Sequence, residues 1–239
     1  MDKDIKSQIE RAKELFQELE NSCNSDLASQ KVSDKTKNLT QEVLLKIRHL
    51  LDQSIYKFFE KNYLPKLTQQ EIRSVKVYFP IVTKKEDLRS ILGRSKMSTL
   101  ENDFPDFYNF LDSIQPYNNN YLWLKMLADF SAEKHIRLTP QTKKETKTMT
   151  AKTENVSVTM PIDNPNFSVH QGSNCQVFIG GVPVRFTNQG IMPLSPGLKT
   201  EITRWISFLF ENTEINVLWL CKKAVNDGSK IIEKVFDFL

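Results

Sequence analysis

The chain has 239 residues, with 39% hydrophobic and 26% charged side chains, which is enough apolar content for a packed core and too much for a disordered segment. Its formal charge of +4 is too small over this length to argue for a nucleic-acid-binding field. The 7 glycines include none before Gly93 and form neither G-x-G-x-x-G nor G-x-x-x-x-G-K-[ST], so Rossmann and P-loop nucleotide enzymes are excluded.

The 3 cysteines, Cys23, Cys175 and Cys221, are odd in number and far apart, which fits a reducing interior better than a disulfide framework. The N-terminal run MDKDIKSQIERAKELF breaks every apolar window with charge and does not read as a secretory signal. The longest apolar run, Val217–Cys221, has 5 residues, where a membrane-spanning helix needs about 20. A cytoplasmic protein with no membrane association is expected.

In chain order, Ile5, Ile9, Ala12, Phe16 and Leu19 recur at three- and four-residue steps and predict a helix with a charged opposite face. A polar stretch over Asn21–Asp34 follows, with Ser33 and Asp34 as candidate caps. The strongest helical stripe is Leu39, Val43, Ile47, Leu50, Leu51, Ile55, Phe58 and Phe59, closed by Pro65. Thr68 with Glu71 and Thr83 with Glu86 each have the spacing of a capping box. Between them Val75, Val77, Phe79 and Ile81 alternate, predicting a short strand or an extended segment that Pro80 places at an edge or an end. A helix from about Lys84 is expected to stop at Gly93 as its C-cap. Phe107, Phe110, Leu111 and Ile114 mark a further helix ended by Pro116, and Leu122, Trp123, Met126, Leu127 and Phe130 the next.

Composition changes at Thr139–Glu154, which holds 6 threonines and 4 lysines and reads as an exposed loop or an edge strand pair with a solvated basic surface. From Val156 to Leu194 the runs VSVTM, QVFI and VPVRF are strand-like, and Gly180-Gly181 between the last two is a hairpin signature. Thr200–Phe210 suits either a helix or a strand, its β-branched and aromatic residues favouring the strand. Ile215, Leu218, Val225, Ile232 and Val235 predict a C-terminal helix, with Gly228 as its weak point. The fold class expected is α+β: a helical bundle over residues 1–138, and over 139–239 a threonine/lysine-rich connection, a small antiparallel sheet and a C-terminal helix packed on the bundle.

Few residues carry recognisable chemistry. His49, His135 and His170 lack partners at metal-ligand spacing, and His170 with Cys175 supplies too few ligands for zinc, so neither metal nor cofactor is expected. Asp129 and Glu133, one helical turn apart beside Lys134 and Arg137, read as a salt-bridge lattice rather than an acid/base dyad. Tyr117 and Trp123 read as packing residues. Lys134, His135 and Arg137 are cations at a helix C-terminus, favoured there by the macrodipole; the alternative is an anion or RNA pocket shared with Arg48. For Arg48 itself the alternatives are a phosphate- or partner-binding group and a salt bridge.

Four pieces recur in an order that carries a resemblance: Ile47–Gln53 (IRHLLDQ), Phe79-Pro80-Ile81, Gln115-Pro116-Tyr117, and Leu122-Trp123 leading to Glu133-Lys134-His135. Over residues 40–140 this series resembles a family of bacterial proteins related to the HEPN domain (higher eukaryotes and prokaryotes nucleotide-binding), whose members carry L-R-x-x-L-D-H, F-P-I, Q-P-Y, L-W-x-L and D-K-H. The C-terminal hairpin and final helix fit it only loosely. The resemblance implies a HEPN-like helical bundle that pairs into a homodimer through its long helices. In catalytic members an arginine holds the phosphate while a nearby histidine moves a proton at a ribose hydroxyl. This chain keeps Arg48 but has Gln53 where that histidine belongs, and glutamine exchanges no proton near neutral pH. Glu133 also stands where the family has aspartate. The expected function is therefore a non-catalytic binding or scaffolding protein with an RNA or protein partner. The alternative is a metal-independent endoribonuclease of toxin or phage-defence type using Arg48 with His135 or His49. A third reading makes the segment 142–152 the contact of an interaction domain in a larger system.

Overall fold

A computed structural model describes residues 2–152, 157–161, 177–179, 182–187, 190–193 and 199–239. The architecture is α+β, and the chain divides into two units. A helical unit takes residues 1–21, 34–137 and 215–239, and a sheet unit takes 22–33 and 138–214. His170, Cys175 and the hairpin signature expected at Gly180-Gly181 lie outside the described residues.

The first helix, α1 (Lys3–Ser29), runs through most of the polar stretch that was expected to end it. Its stripe, with Leu15 buried in preference to Phe16, continues four residues past Leu19 to Cys23, which is also buried. Beyond it Oδ2 of Asp26, itself buried, accepts bonds from the Ser33 amide (2.8 Å) and hydroxyl (2.9 Å), closing the turn. A polar composition thus conceals a helix whose one apolar position per turn suffices.

The core of the helical unit is α2 (Asp34–Asn62), which buries residues on nearly every turn, including Leu44, Ile47, Leu51, Phe58 and Phe59. Around it lie α3 (Gln69–Ser74), α4 (Lys85–Arg94), α5 (Leu100–Asp103), α6 (Pro105–Ser113), α7 (Leu122–Ala132) and α8 (Val217–Asp237). At the C-terminal end of α2 the ring of Phe58 meets Phe107 at 4.0 Å and the edge of Phe104 at 5.2 Å, while Phe107 meets Phe238 at 5.1 Å. Phe58 and Phe107 are buried and Phe104 and Phe238 half-buried; a fully buried ring contributes about 1.5–3 kcal/mol, well above an exposed ion pair at roughly 0–1 kcal/mol. The aromatic cluster, not the surface lysines, therefore ties the C-terminus back to α2.

Gly228, expected to weaken α8, has another role. A Cβ there would stand 2.8 Å from Cγ2 of the buried Ile47, so the missing side chain lets α8 approach α2. Asn216 caps the start of α8 by accepting the Trp219 amide at 2.9 Å.

The Thr68–Glu71 capping box forms, whereas the Thr83–Glu86 box does not. Helix α4 starts at Lys85, one residue later than the box requires, and its N-cap is Lys84. The preceding segment is anchored elsewhere, because the Val82 amide is held by the Gln115 side chain at 3.0 Å. Gly93 likewise is not the C-cap. The helix continues to Arg94, Lys96 takes the positive φ of 59°, and the Met97 amide reaches back to the Leu92 carbonyl at 2.8 Å.

In the sheet unit, β1 (Leu138–Lys152), β2 (Ser157–Pro161) and β6 (Lys199–Phe210) form one antiparallel sheet in the order β2-β1-β6. The threonine/lysine segment is thus neither a loop nor an edge but the central strand, as the β propensity of its threonines allows. Leu138 lies opposite Phe210 and Lys152 opposite Lys199, with register shifts at Gln141/Thr142 and Lys143/Thr148. Residues 199–210 form a strand, resolving the ambiguity of that stretch. A second antiparallel sheet joins β3 (Val177–Ile179), β4 (Val182–Thr187) and β5 (Gly190–Pro193). Ile179 pairs with Val182. One face of this sheet buries Ile179 and Val184, and the other exposes Phe178 and Met192.

Candidate functional site

Residues 75–82 run extended without entering a ladder, so their backbone groups need other partners. Side chains from two motif pieces provide them at Phe79, Pro80 and Val82. Arg48 and Asp52 are one turn apart on α2, where an i,i+4 pair shares a face, and their side chains meet at 3.2 Å. Both also hold one residue of the extended segment. Arg48 Nη2 donates to the Phe79 carbonyl at 3.3 Å, and Asp52 Oδ1 accepts the Phe79 amide at 2.8 Å. From the other side the fully buried Gln115 donates to the carbonyls of Pro80 (3.1 Å) and Leu111 (2.9 Å) and accepts the Val82 amide (3.0 Å).

These bonds explain why the IRHLLDQ, F-P-I and Q-P-Y pieces occur together in this chain: two of them clamp the third. The sequence marks Arg48 but assigns no role to Asp52 and shows Gln115 only as part of a helix stop. The signal for both is a long-range partner, which spacing along the chain does not encode. Tyr117 extends the clamp, its hydroxyl bonding the Asp112 carboxylate, and burial together with that hydrogen bond pushes the phenol pKa up. Burial also pushes the Asp52 carboxyl above its ordinary value, outweighing the Arg48 guanidinium and the Phe79 amide, which act the other way.

On one side of the clamp lies a cleft of about 440 Å³ walled by Arg48, Lys76, Tyr78 and Arg94, with Ile81, Ile91 and Ala128 as apolar lining. One guanidinium nitrogen of Arg48, Nη1, is buried and makes no hydrogen bond among the described residues. Ser74 and Ser95 also line the cleft, their hydroxyls donating to the carbonyls of Glu71 (3.1 Å) and Lys76 (3.3 Å). The described lining carries three cations and neither a carboxylate nor a histidine. On the other side of the clamp a second cleft of about 520 Å³ is lined by Asp2, Asp4, Ile5, His49, Asp52, Gln53, Tyr56, Lys57, Val77 and Tyr78.

The expected site residues are distributed as follows. Arg48 lines the basic cleft, while His49 and Gln53 line the acidic one. Lys134, His135 and Arg137 are exposed on the segment after α7, and none is among the described residues lining the basic cleft. That segment is tethered to α2 by Gln41, whose amide nitrogen donates to the carbonyls of Glu133 (2.9 Å) and Lys134 (3.3 Å). Gln41 and Arg48 are seven residues apart, so the tether falls on the Arg48 side of α2 but about 10.5 Å along its axis. Lys76 and Arg94, the cations that do accompany Arg48, had no sequence signal, being separated from it by 28 and 46 positions. Asp129 pairs with Lys125 at 2.5 Å, one turn earlier on α7, instead of joining a lattice with Lys134.

Among the described residues no group of three or more histidine, cysteine, aspartate or glutamate side chains could hold a metal ion. Nor is any helix among them long and apolar enough to cross a membrane. No family model, curated protein or solved structure matches the chain.

Proposed function

We propose that the chain is a non-catalytic binding or scaffolding protein with a degenerate HEPN-like helical core, whose binding site is the basic cleft at Arg48. One observation carries this reading: the arginine that would hold a phosphate shares its cleft with Lys76 and Arg94 and with no histidine, and His49 lies in the cleft across the clamp. Binding needs only fixed charge and shape, whereas ribose-directed cleavage needs a group that takes and returns a proton near neutral pH. Arg48 is also committed through Nη2 to Asp52 and Phe79, which suits a rigid recognition group.

A cleavage assay on structured and tRNA-like RNA tests the reading. No turnover is expected from the wild type, from His49→Ala, from His135→Ala or from Gln53→His. Turnover that disappears in both Arg48→Lys and His135→Ala, with unchanged circular dichroism, would overturn it in favour of an endoribonuclease. Pairing into a homodimer through the long helices belongs to the same reading, and sedimentation equilibrium at micromolar concentration tests it.

A further inference from the structure

The geometry points to a small organic phosphomonoester, a dianion with an apolar substituent, as the ligand class of the cleft formed by Arg48, Lys76 and Arg94. This rests on the reading of that cleft as a binding site and adds what it selects. Charge is the first argument. Asp52, 3.2 Å from Arg48 Nη2, balances the Arg48 charge. Lys76 and Arg94 form no ion pair with any described residue, whereas nearby Lys96 is neutralised by Glu71 at 3.2 Å. The uncompensated formal charge facing the cleft is therefore that of two cations. A phosphomonoester carries about −1.5 to −2 at neutral pH, while a phosphodiester or a sulfate ester carries a single charge and leaves one cation unanswered.

Hydrogen bonding is the second argument. Arg48 Nη1 is buried without a partner, and a buried guanidinium N–H is costly to leave unmade. Arg48 lines the cleft, and phosphate oxygens suit the planar donor fork of arginine. Shape and lining are the third. A volume of about 440 Å³ exceeds what a bare ion fills and sits toward the small end of ligand clefts, roughly 300–1,000 Å³. Ile81, Ile91 and Ala128 offer an apolar bed, and the Tyr78 ring, 56% exposed, stands beside it. The two serine hydroxyls have spent their protons on backbone carbonyls and offer a ligand only acceptor lone pairs, so the apolar bed favours an apolar substituent beyond the phosphate.

Isothermal titration of the full chain with phenyl phosphate, methyl phosphate, inorganic phosphate and phenyl sulfate tests this at pH 7.5. Phenyl phosphate is expected to bind at least tenfold more tightly than phenyl sulfate and more tightly than methyl or inorganic phosphate. Its affinity should fall several-fold at pH 5, because the second phosphate proton returns with a pKa of about 6. The double variant Lys76→Ala/Arg94→Ala, altered at two exposed positions, should lose at least tenfold in affinity with an unchanged melting temperature. Tyr78→Ala should weaken phenyl phosphate and leave inorganic phosphate unaffected.

Equal binding of phenyl phosphate and phenyl sulfate, or full binding by the double variant, overturns the proposal. So does tight binding of single-stranded RNA that phenyl phosphate does not displace. RNA cleavage with intact phenyl phosphate binding would sink the non-catalytic reading while leaving the ligand class standing, so the two failures are distinguishable.

Discussion

Arg48 and Asp52 grip opposite ends of one residue: the guanidinium takes the Phe79 carbonyl at 3.3 Å and the carboxylate takes the Phe79 amide at 2.8 Å. A strand would satisfy those two groups through a neighbouring backbone; here a helix does so with two side chains one turn apart. The arrangement fixes Phe79, itself buried, and the segment on either side of it, so that Lys76 and Tyr78 come to stand at the basic cleft.

The pH dependence of Asp52 follows from its burial. Its folded pKa is raised, so the folded state holds the proton more tightly than the unfolded chain. Its contribution to stability is complete below the ordinary carboxylate value and is lost as pH rises through the raised one. In urea denaturation across that window, the stability of the wild type relative to Asp52→Asn should decline with rising pH. A difference that grows with pH would contradict this.

Gln115→Ala removes all three of the bonds that hold Pro80, Val82 and Leu111. Stranding buried backbone groups costs about 1–3 kcal/mol each, partly relieved by relaxation, so a loss of about 2–4 kcal/mol is expected. The Val82 amide should also exchange much faster with solvent. Unchanged protection at Val82 would show that the Gln115 contact does not secure the segment.

Two glycine-to-alanine changes in helices should act in opposite directions. Gly93 has nothing within 4 Å of an added Cβ and no left-handed φ, so Gly93→Ala should stabilise the chain by up to about 1 kcal/mol through helix propensity. At Gly228 the same gain is opposed by the 2.8 Å approach to Ile47 Cγ2, a branch close to the backbone that cannot swing aside. Overpacking costs about 1–3 kcal/mol, so Gly228→Ala should be destabilising by up to about 2 kcal/mol. Denaturant midpoints of the two variants check the contrast.

Glu71 shows the reverse pH behaviour to Asp52. The Thr68 amide and hydroxyl, with Lys96, hold its carboxyl below the usual range. Its contribution is present above the ordinary value and is lost as pH falls through the lowered one. An NMR titration should find the Glu71 pKa depressed, and Thr68→Ala, which removes the hydroxyl but keeps the amide and Lys96, should return it only part of the way. A normal pKa in the wild type would mean that the capping box does not form.

Much of this is legible in the sequence. Helical stripes placed α2, α6, α7 and α8, and Thr68–Glu71 announced its own cap because both partners sit within four residues. Thr83–Glu86 has the same pattern and does not cap, since Gln115, 33 residues from Val82, fixes the chain just ahead of it. The same contrast separates the glycines. Gly93 looked like a C-cap by position, but Lys96 took the left-handed turn, and the need for Gly228 is visible only in the distance to Ile47.

By itself, then, the sequence determined the helical first half, the β-rich region after residue 138 and the lack of a G-x-G-x-x-G or G-x-x-x-x-G-K-[ST] pattern. Those are properties of local periodicity, propensity and residue type. Only the tertiary structure decided that Arg48 shares a cleft with Lys76 and Arg94 while Lys134, His135 and Arg137 stand outside its described lining, and that Asp52 and Gln115 are the side chains that shape it. Convergence of charges from separate elements depends on how helices pack and where an extended segment is pinned, and no spacing along the chain carries that information.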